Sequence, residues 1–296
     1  MLYHYTSKSA LESILRESPS DQGICFWATR FDCFGDHEEY KLGIETIQRL
    51  LPQIEARLQP DRRVAHLFDW NEINGNKNMF WPYVISFTSK YDNPFMWDNY
   101  GEHGKGIVLA LDDSKTIQVK DMPTLTTRSC IYKGKVSEDC LAKEIESEYF
   151  NGAFSMLGGP RKEVAFAFLI SYPQIFVRLI ALYLLTCVAP RIKEGKYHQE
   201  EEIRAIMASP LPNLETLFQP SISFAKSLNF DTDPLLKMMA NEKSRKRANG
   251  DVVFYKELFL PSSLLTKVYV KDDSLVENIQ SILHNKGFGC VEVITI

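Results

Sequence analysis

The spacing of apolar and polar residues alternates between two periods along the chain, which predicts a mixture of strands and helices. At the start, "LYHYT" (2–6) has period two and predicts a strand with His4 and Thr6 on one side. Ser9 and Glu12 have the spacing of a capping box and precede an apolar stripe, so a helix is expected to follow directly. The first strand and helix are therefore predicted to form one continuous unit.

The same periods recur to the end of the chain. Further strands are predicted at 24–29, 83–89, 106–112, 200–207, 252–261 and 290–296, and helices at 40–58, through most of 133–193 and at 274–287. Ser274 and Glu277 form a second predicted capping box at the start of the last helix. Strands at both ends, with helices inserted between hairpins, are typical of an α+β protein. We expect one domain over 1–296, with a mixed, mainly antiparallel sheet and a helical insertion around 133–193.

One apolar run, 164–190, is long enough to cross a membrane. Pro173 and Arg178 fall inside it, and a charge at the centre of a bilayer is costly. We interpret the run as one or two buried helices broken near Pro173 and expect no membrane span, with membrane association as the alternative.

The composition argues against a generic polyanion binder, because the formal charge is -4. The basic cluster "KSRKR" at 243–247 precedes Asn249 and Gly250, a strong hairpin-turn pair. We interpret this cluster as a solvated turn, with a nucleic-acid contact as the alternative. No strong nucleic-acid signature is present elsewhere.

The six cysteines are scattered, without a C-x-x-C pair or a histidine at zinc spacing. This pattern favours neither a disulfide framework nor a metal site, and reduced thiols fit the cytoplasm. A strand that starts at residue 2 also leaves no room for a secretory signal. We therefore expect a cytoplasmic protein without a bound metal.

Common catalytic motifs are missing from the sequence. It contains no G-x-S-x-G elbow, Walker loop, H-E-x-x-H helix or dinucleotide G-x-G-x-x-G, and "GEHGKG" (101–106) has the wrong spacing for the last. Polar and aromatic residues instead cluster on predicted strands, in "YHYTS", "WATR", "ISFT", "MWDNY" and "EEEIR".

These clusters carry a resemblance that spans nearly the whole chain. The segments "LYHYTS", "FWATRFDCFGDHEE", "ISFTSKYDNPFMWDNYGEHGKGIVLALD", "YHQEEEIR" and "YKELFLP", in this order, resemble the bacterial domain-of-unknown-function family 2971. One departure is visible, since Gly35-Asp36 stands where an Asn-Asp pair is expected. Asp36 with Glu38 or Glu39 keeps the acidic positions, and the departure leaves the role of the missing amide open.

A more distant similarity is to ADP-ribosyltransferases. That family places a His or Arg on a first strand, a Ser-Thr or Tyr element on a second, and a Glu, often within E-x-E, on a third. His4 with Thr6, Ser86 with Thr88, and Glu200 with Glu202 occur here in that order. The resemblance implies an ADP-ribosyltransferase-like fold, NAD as substrate and an unidentified macromolecular acceptor, in a toxin or phage-defence setting.

Residue roles follow from the same resemblance. Glu202 would be the catalytic carboxylate that stabilises an oxocarbenium-like state, as in glycoside cleavage, and Glu200 would orient the substrate. The remaining assignments are ribose hydrogen bonds for His4 and Thr6, positioning for Ser86 and Thr88, stacking on nicotinamide for Trp97 and Tyr100, and a bond to the carboxylates or a phosphate for Arg204.

Structural alternatives exist for each group. A histidine on a first strand is commonly a core residue bonded to backbone, and Trp97 and Tyr100 are by default core residues. Glu200, Glu202 and Arg204 on one strand face could form a solvated row of charges. Two functions therefore stay open: an NAD-cleaving transferase, and a non-catalytic module of the same fold that senses a nucleotide or a peptide.

Overall fold

The computed structural model describes residues 1–17, 22–34, 38–57, 63, 65, 70, 82–113, 125–156, 180, 183–207, 242–247 and 249–296. The helices are α1 (Lys8–Ile14), α2 (Glu38–Ala56), α3 (Pro94–Asn99), α4 (Glu138–Met156) and α5 (Val276–Asn285). The strands are β1 (Leu2–Thr6), β2 (Leu15–Glu17), β3 (Gln22–Arg30), β4 (Tyr83–Thr88), β5 (Ile107–Leu111), β6 (Leu125–Ser129), β7 (Ile131–Lys133), β8 (Ile192–Glu194), β9 (Glu202–Met207), β10 (Glu242–Lys246), β11 (Val252–Pro261), β12 (Leu265–Val270) and β13 (Glu292–Thr295). The predicted α+β class is confirmed.

Eleven of these strands form one sheet, in the order β10-β11-β3-β4-β1-β5-β12-β13, with β2, β6 and β9 attached beside this path. Among the described strands, pairings are antiparallel except for β12 with β13 and for β7 with β8, which form a small second sheet. The expected mixed, mainly antiparallel sheet is therefore confirmed.

The sheet branches at β4. Strand β9 pairs with β4 along its whole length, from Tyr83 to Thr88. On the opposite edge, β3 pairs with Tyr83 and Val84, whereas β1 pairs with Thr88. The sheet consequently splits between β3 and β1, and the middle of β4 faces that split.

The two faces of the sheet have different cores. The first face carries alternate residues such as Leu2, Phe26 and Phe87, which pack with α1 and α5 into the largest apolar cluster. The second face carries Tyr5, which packs with Trp97 of α3, and Ile206, which packs with Phe31. Alternation along each strand therefore decides which layer a side chain enters.

A separate apolar cluster lies among the helices. It joins α2 and α4 to residues 183–192, and its fully buried members include Ile47, Ile145 and Leu184. Gly43 allows α2 to approach this segment closely, because an added Cβ would lie only 2.7 Å from the backbone carbonyl carbon of Ala189. The described part of the predicted 133–193 insertion is thus largely helical.

The apolar run at 164–190 is described only in part. Residues 164–179 and the expected break at Pro173 lie outside the described residues, whereas 183–190 are buried. Within the described part of the chain, none of the helices combines the length and the apolar character that crossing a membrane requires.

Both predicted capping boxes are wrong. The N-cap of α1 is Ser7, whose hydroxyl accepts a hydrogen bond from the backbone N–H of Ala10. Near the C-terminus, the Asp272 carboxylate accepts from the N–H of Ser274 and caps a 3₁₀ turn that precedes α5. In each case the capping residue lies two positions before the serine that the motif predicts. Motif spacing alone does not show which of two nearby polar residues is the cap.

The basic cluster lies on a strand rather than in a turn. Residues 243–246 belong to the exposed strand β10, and Asn249 and Gly250 form the predicted turn into β11. Gly250 adopts a φ of 92°, a conformation that favours glycine. The hairpin is therefore confirmed, and the cations project from its first strand.

Candidate functional site

His4 lies on the first face of the sheet. It pairs across strands with Leu109, and its ring packs edge-on to Phe26 and Phe87, with ring centroids 5.0 and 5.7 Å apart. Its Nδ1 lies 2.9 Å from the backbone carbonyl oxygen of Ser86. Because a carbonyl oxygen can only accept, Nδ1 carries the proton in this bond.

This bond identifies His4 as a structural residue of the split sheet. Ser86 lies where β4 passes from its pairing with β3 to its pairing with β1, so the imidazole bridges the two strands there. Burial lowers the pKa of His4, and the bond to Ser86 only partly offsets that effect. Thr6 occupies the same face, opposite Ile107.

The second face carries the other polar residues of the predicted site. Strand register places Ser86 opposite Arg204 and Thr88 opposite Glu202. Thr88 also pairs with Tyr3, so the side chains of Tyr3 and Tyr5 point to this second face while those of His4 and Thr6 do not. The prediction that His4, Ser86 and Glu202 converge on one cleft is therefore wrong, because the pleat sends His4 and Glu202 to opposite faces.

Five ionisable side chains meet beneath the second face. We name the group of Glu39, Lys193, Glu200, Glu202 and Arg204 the charge cluster; none is more than 7% exposed. Arg204 binds both carboxylate oxygens of Glu202, with Nε 2.9 Å from Oε1 and Nη2 3.0 Å from Oε2. Lys193 Nζ lies 2.7 Å from Glu202 Oε2 and 2.5 Å from Glu200 Oε2. Arg204 also contacts Glu39 Oε1 at 2.5 Å.

The cluster is assembled from four separate parts of the chain. Glu39 comes from the first turn of α2, Lys193 from β8, Glu200 from the end of a 3₁₀ turn, and Glu202 with Arg204 from β9. The sequence prediction that Glu200, Glu202 and Arg204 point the same way agrees with these contacts. The strand, however, begins only at Glu202.

Glu201 explains how both neighbouring carboxylates reach Lys193. It has a φ of 45°, a left-handed conformation that is uncommon for a residue with a side chain. Its own carboxylate leaves the cluster and accepts from Lys90 Nζ at 2.6 Å and from the Ser89 hydroxyl at 3.1 Å. The chain therefore turns sharply between the two buried glutamates.

The pKa values of Glu202 and Glu39 are shifted in opposite directions. Burial favours the neutral form of Glu202, but Arg204 and Lys193 outweigh it and hold the pKa of Glu202 well below its usual range. At Glu39 the balance is reversed: burial raises the pKa, and Arg204 and Lys193 only partly offset it. Three carboxylates thus share two cations in this cluster, and Glu39 is the least compensated.

Burial would lower the pKa of Lys193, yet the surrounding carboxylates, led by Glu202, raise it. The pKa of Arg204 is likewise raised above its usual range by Glu202, against the effect of burial. Both cations therefore stay charged, and the cluster holds opposite charges in a buried environment.

The two predicted stacking residues behave differently. Trp97 is fully buried against Tyr5, and its indole N–H donates to the Tyr91 carbonyl oxygen at 2.9 Å. It is a core residue, so the prediction that it stacks on a ligand is wrong. Tyr100 is 48% exposed, and its hydroxyl donates to Glu200 Oε1 at 3.0 Å. Tyr100 consequently links the buried cluster to the surface.

Comparison of the chain with protein-family models, curated proteins and solved structures finds no match. The resemblance to family 2971 and to ADP-ribosyltransferases therefore stays a prediction, and the site must be argued from its geometry. The Gly35-Asp36 departure lies outside the described residues.

Backbone strain surrounds the exposed edge of the cluster. Directly after Tyr100 and Gly101, Glu102 and His103 have φ values of 51° and 55°, and Glu201 is the third described non-glycine residue with positive φ. Such conformations cost energy and are frequent at functional sites. These three conformations lie next to Tyr100 and Glu200 in the chain, at the exposed edge of the charge cluster.

Two cluster members were missed by sequence reasoning. Glu39 was named only as one of two acidic alternatives, and Glu38 beside it is exposed. Lys193 was assigned to the end of a helical segment; the available signal was a lysine three residues after the end of a long apolar run. Thr88, which was predicted to position the substrate, is fully buried, and its Oγ1 has no hydrogen-bond partner among the described residues.

Proposed function

We propose that the chain is a non-catalytic binding module that senses a nucleotide or a peptide carrying a cationic group. The observation that carries this proposal is the saturation of Glu202. Each of its carboxylate oxygens already accepts from a cation, and its side chain is 4% exposed. A carboxylate that stabilises an oxocarbenium-like state must present an oxygen to the ribose.

Freeing Glu202 would require breaking a buried ion-pair network. Separating one partner of such a pair costs about 3–5 kcal/mol, because the other charge stays buried without compensation. The geometry therefore favours a scaffold role for Glu202 and Arg204. We assign ligand contact instead to Tyr100 and the strained backbone beside it.

The charge of the cluster indicates the class of ligand. The three carboxylates Glu39, Glu200 and Glu202 outnumber the two cations Lys193 and Arg204, which favours a cationic ligand near Tyr100. The oxidised nicotinamide ring of NAD is such a cation, and so is a lysine or arginine side chain of a peptide. An aromatic ring adds a cation–π contribution.

The second candidate is the NAD-cleaving transferase. In its favour, Ser86, Thr88, Glu202 and Arg204 share one face of the sheet, and both glutamates of the E-x-E pattern contact Lys193. His4 has no part in that arrangement. The transferase proposal is thus supported by residues of the second face alone. In that proposal NAD is the substrate and the protein is cytoplasmic.

Calorimetric titration with NAD and NADH tests the binding proposal. NADH has a neutral nicotinamide, so recognition of a cation predicts about tenfold weaker binding than for NAD, a difference of about 1.4 kcal/mol. Tyr100→Ser removes the aromatic ring and should weaken NAD binding, whereas Tyr100→Phe keeps the ring and should bind NAD about as tightly as the wild type. If neither dinucleotide binds at millimolar concentration, titration with an arginine-containing peptide decides between a peptide module and failure of the proposal.

Nicotinamide release measured by chromatography separates the two functions. The binding module predicts no release above the spontaneous rate. Release that Glu202→Gln abolishes, with NAD binding retained, would instead establish the transferase.

A further inference from the structure

A second surface of the molecule combines cations with an aromatic ring. This surface lies on the second face of the sheet, at the end formed by β2, β3, β11 and β10. There the Trp27 ring lies among three cationic side chains, those of Arg16, Lys243 and Arg245. We name these four residues, with Tyr255 and Glu257, the Trp27 patch. Pairing of β3, β11 and β10 puts Trp27 beside Glu257 and Lys243 beside Tyr255.

The contacts within the patch are specific. The guanidinium carbons of Arg245 and Arg16 lie 4.9 and 5.7 Å from the Trp27 ring centroid, and the Tyr255 ring lies 4.7 Å away. Glu257 accepts from Arg16 at 2.8 Å and from Lys243 at 2.7 Å. Three cations therefore face one carboxylate, and the patch keeps a positive charge although the whole chain is acidic.

The patch is accessible at its edge. All residues of β10 are exposed, and β10 is the last strand of the sheet path on this side. Phe259, which follows Glu257 by two residues and shares its face, is 42% exposed. The Trp27 indole N–H is buried and has no hydrogen-bond partner among the described residues, and Tyr255 is 8% exposed. The accessible groups of the patch are therefore the cations, including the Arg245 guanidinium over the Trp27 ring, with the Phe259 ring beside them.

We infer that the Trp27 patch binds single-stranded nucleic acid. A single strand offers phosphates for the cations and unpaired bases for stacking on guanidinium planes and on aromatic rings. An acidic peptide would use the cations but leave the planar groups without a partner. A duplex keeps its bases stacked internally, so the planar side chains favour the single strand. None of the patch residues belongs to the charge cluster, so the inference does not depend on the proposed function.

Strand alternation supplies matched controls. Arg245 projects to the second face, whereas its neighbour Lys246 projects to the other face, opposite Val252. Both are exposed, so Arg245→Ala and Lys246→Ala remove the same charge from the same strand with little risk to the fold. Phe259→Ser and Val252→Ser form an equivalent apolar pair, at 42% and 46% exposure.

Fluorescence anisotropy with a labelled oligo-dT of about 15 nucleotides measures the binding over a series of salt concentrations. We expect a dissociation constant of about 1–100 μM, in the range of non-specific complexes. Arg245→Ala should weaken binding about tenfold and reduce the slope of log affinity against log salt by about 0.7, the contribution of one phosphate contact on a single strand. Arg245→Lys should keep that slope but bind severalfold more weakly, because lysine lacks the guanidinium plane.

The inference is overturned if the oligonucleotide does not bind at about 100 μM protein in low salt. It is also overturned if Arg245→Ala and Lys246→Ala lose equal amounts of binding affinity. Displacement of the oligonucleotide by polyglutamate at the same charge concentration would show that the patch is a simple polyanion-binding surface. A duplex of the same sequence that binds as tightly as the single strand would also contradict the role of the planar side chains. Phe259→Ser should weaken binding, with Val252→Ser unchanged.

Discussion

Removal of Arg204 is the most direct test of the charge cluster. Arg204 is 1% exposed, binds Glu202 through two nitrogens, contacts Glu39 and donates to the Pro190 carbonyl oxygen. Arg204→Met keeps much of the side-chain volume but leaves Glu39 and Glu202 with Lys193 as the shared cation. We expect the free energy of unfolding to fall by about 3–5 kcal/mol, the usual cost of breaking a buried ion pair.

Glu39→Gln is the matched control, because it removes the excess negative charge while keeping the shape. We expect it to change the free energy of unfolding by less than about 1 kcal/mol, since it leaves two carboxylates with two cations. In the Arg204→Met background the same substitution should recover about 1–2 kcal/mol, because one of the two uncompensated carboxylates disappears.

Urea unfolding followed by far-ultraviolet circular dichroism measures these differences, with constant m-values as the check that the unfolding transition is unchanged. Arg204→Met within about 1 kcal/mol of the wild type would refute the reasoning, because a buried cation with two carboxylate partners cannot be dispensable. Equal losses for Arg204→Met and Glu39→Gln would show that the Glu39 carboxylate is itself required to compensate Arg204, against our reasoning that it is the surplus carboxylate of the cluster.

Three further predictions concern the fold and the site. His4→Asn should lower the free energy of unfolding by about 1–3 kcal/mol through the lost bond to Ser86, and should leave ligand binding unchanged, as urea unfolding and NAD titration would show. The pKa of His4 is lower in the folded state than its ordinary value of 6.5, so the unfolded state takes up the proton first as pH falls. The stability that His4 contributes is therefore lost as pH falls below about 6.5. The free energy of unfolding, measured at several pH values, should fall less steeply with decreasing pH in His4→Asn than in the wild type. Gly43→Ala should destabilise by about 1–3 kcal/mol in thermal or urea unfolding despite the better helix propensity of alanine, because its Cβ meets the Ala189 backbone; a stabilised variant would show that α2 is free to move away.

Local pattern predicted seven of the thirteen described strands and missed β2, β6, β7, β8, β10 and β12. The alternation in 2–6, the apolar run at 107–111 and the β-rich segment at 252–261 each formed a strand close to its predicted position. Helix α2 also lies where its apolar stripe indicated, with Pro52 inside it. Helix starts were less reliable, because several nearby polar residues can cap and only backbone geometry decides which one does.

The candidate site was predicted in part. Strand alternation correctly put Glu202 and Arg204 together, and the E-x-E pattern correctly linked Glu200 to them, since these residues are close in sequence. Lys193 and Glu39 belong to other elements, and no local pattern connects them with β9. Trp97 shows the opposite error, because a conspicuous aromatic residue that the resemblance marked for stacking lies in the core.

Period-two alternation in the sequence determined that His4 and Thr6 share a face, and that Glu202 and Arg204 share a face. It could not determine whether these are the same face, because that relation depends on the register between β1, β4 and β9. Only the tertiary structure decided it: Tyr3, rather than His4, pairs with Thr88, and Thr88 pairs with Glu202. A shift of one residue in pairing would have reversed the result, since each step along a strand turns the side chain to the other side of the sheet.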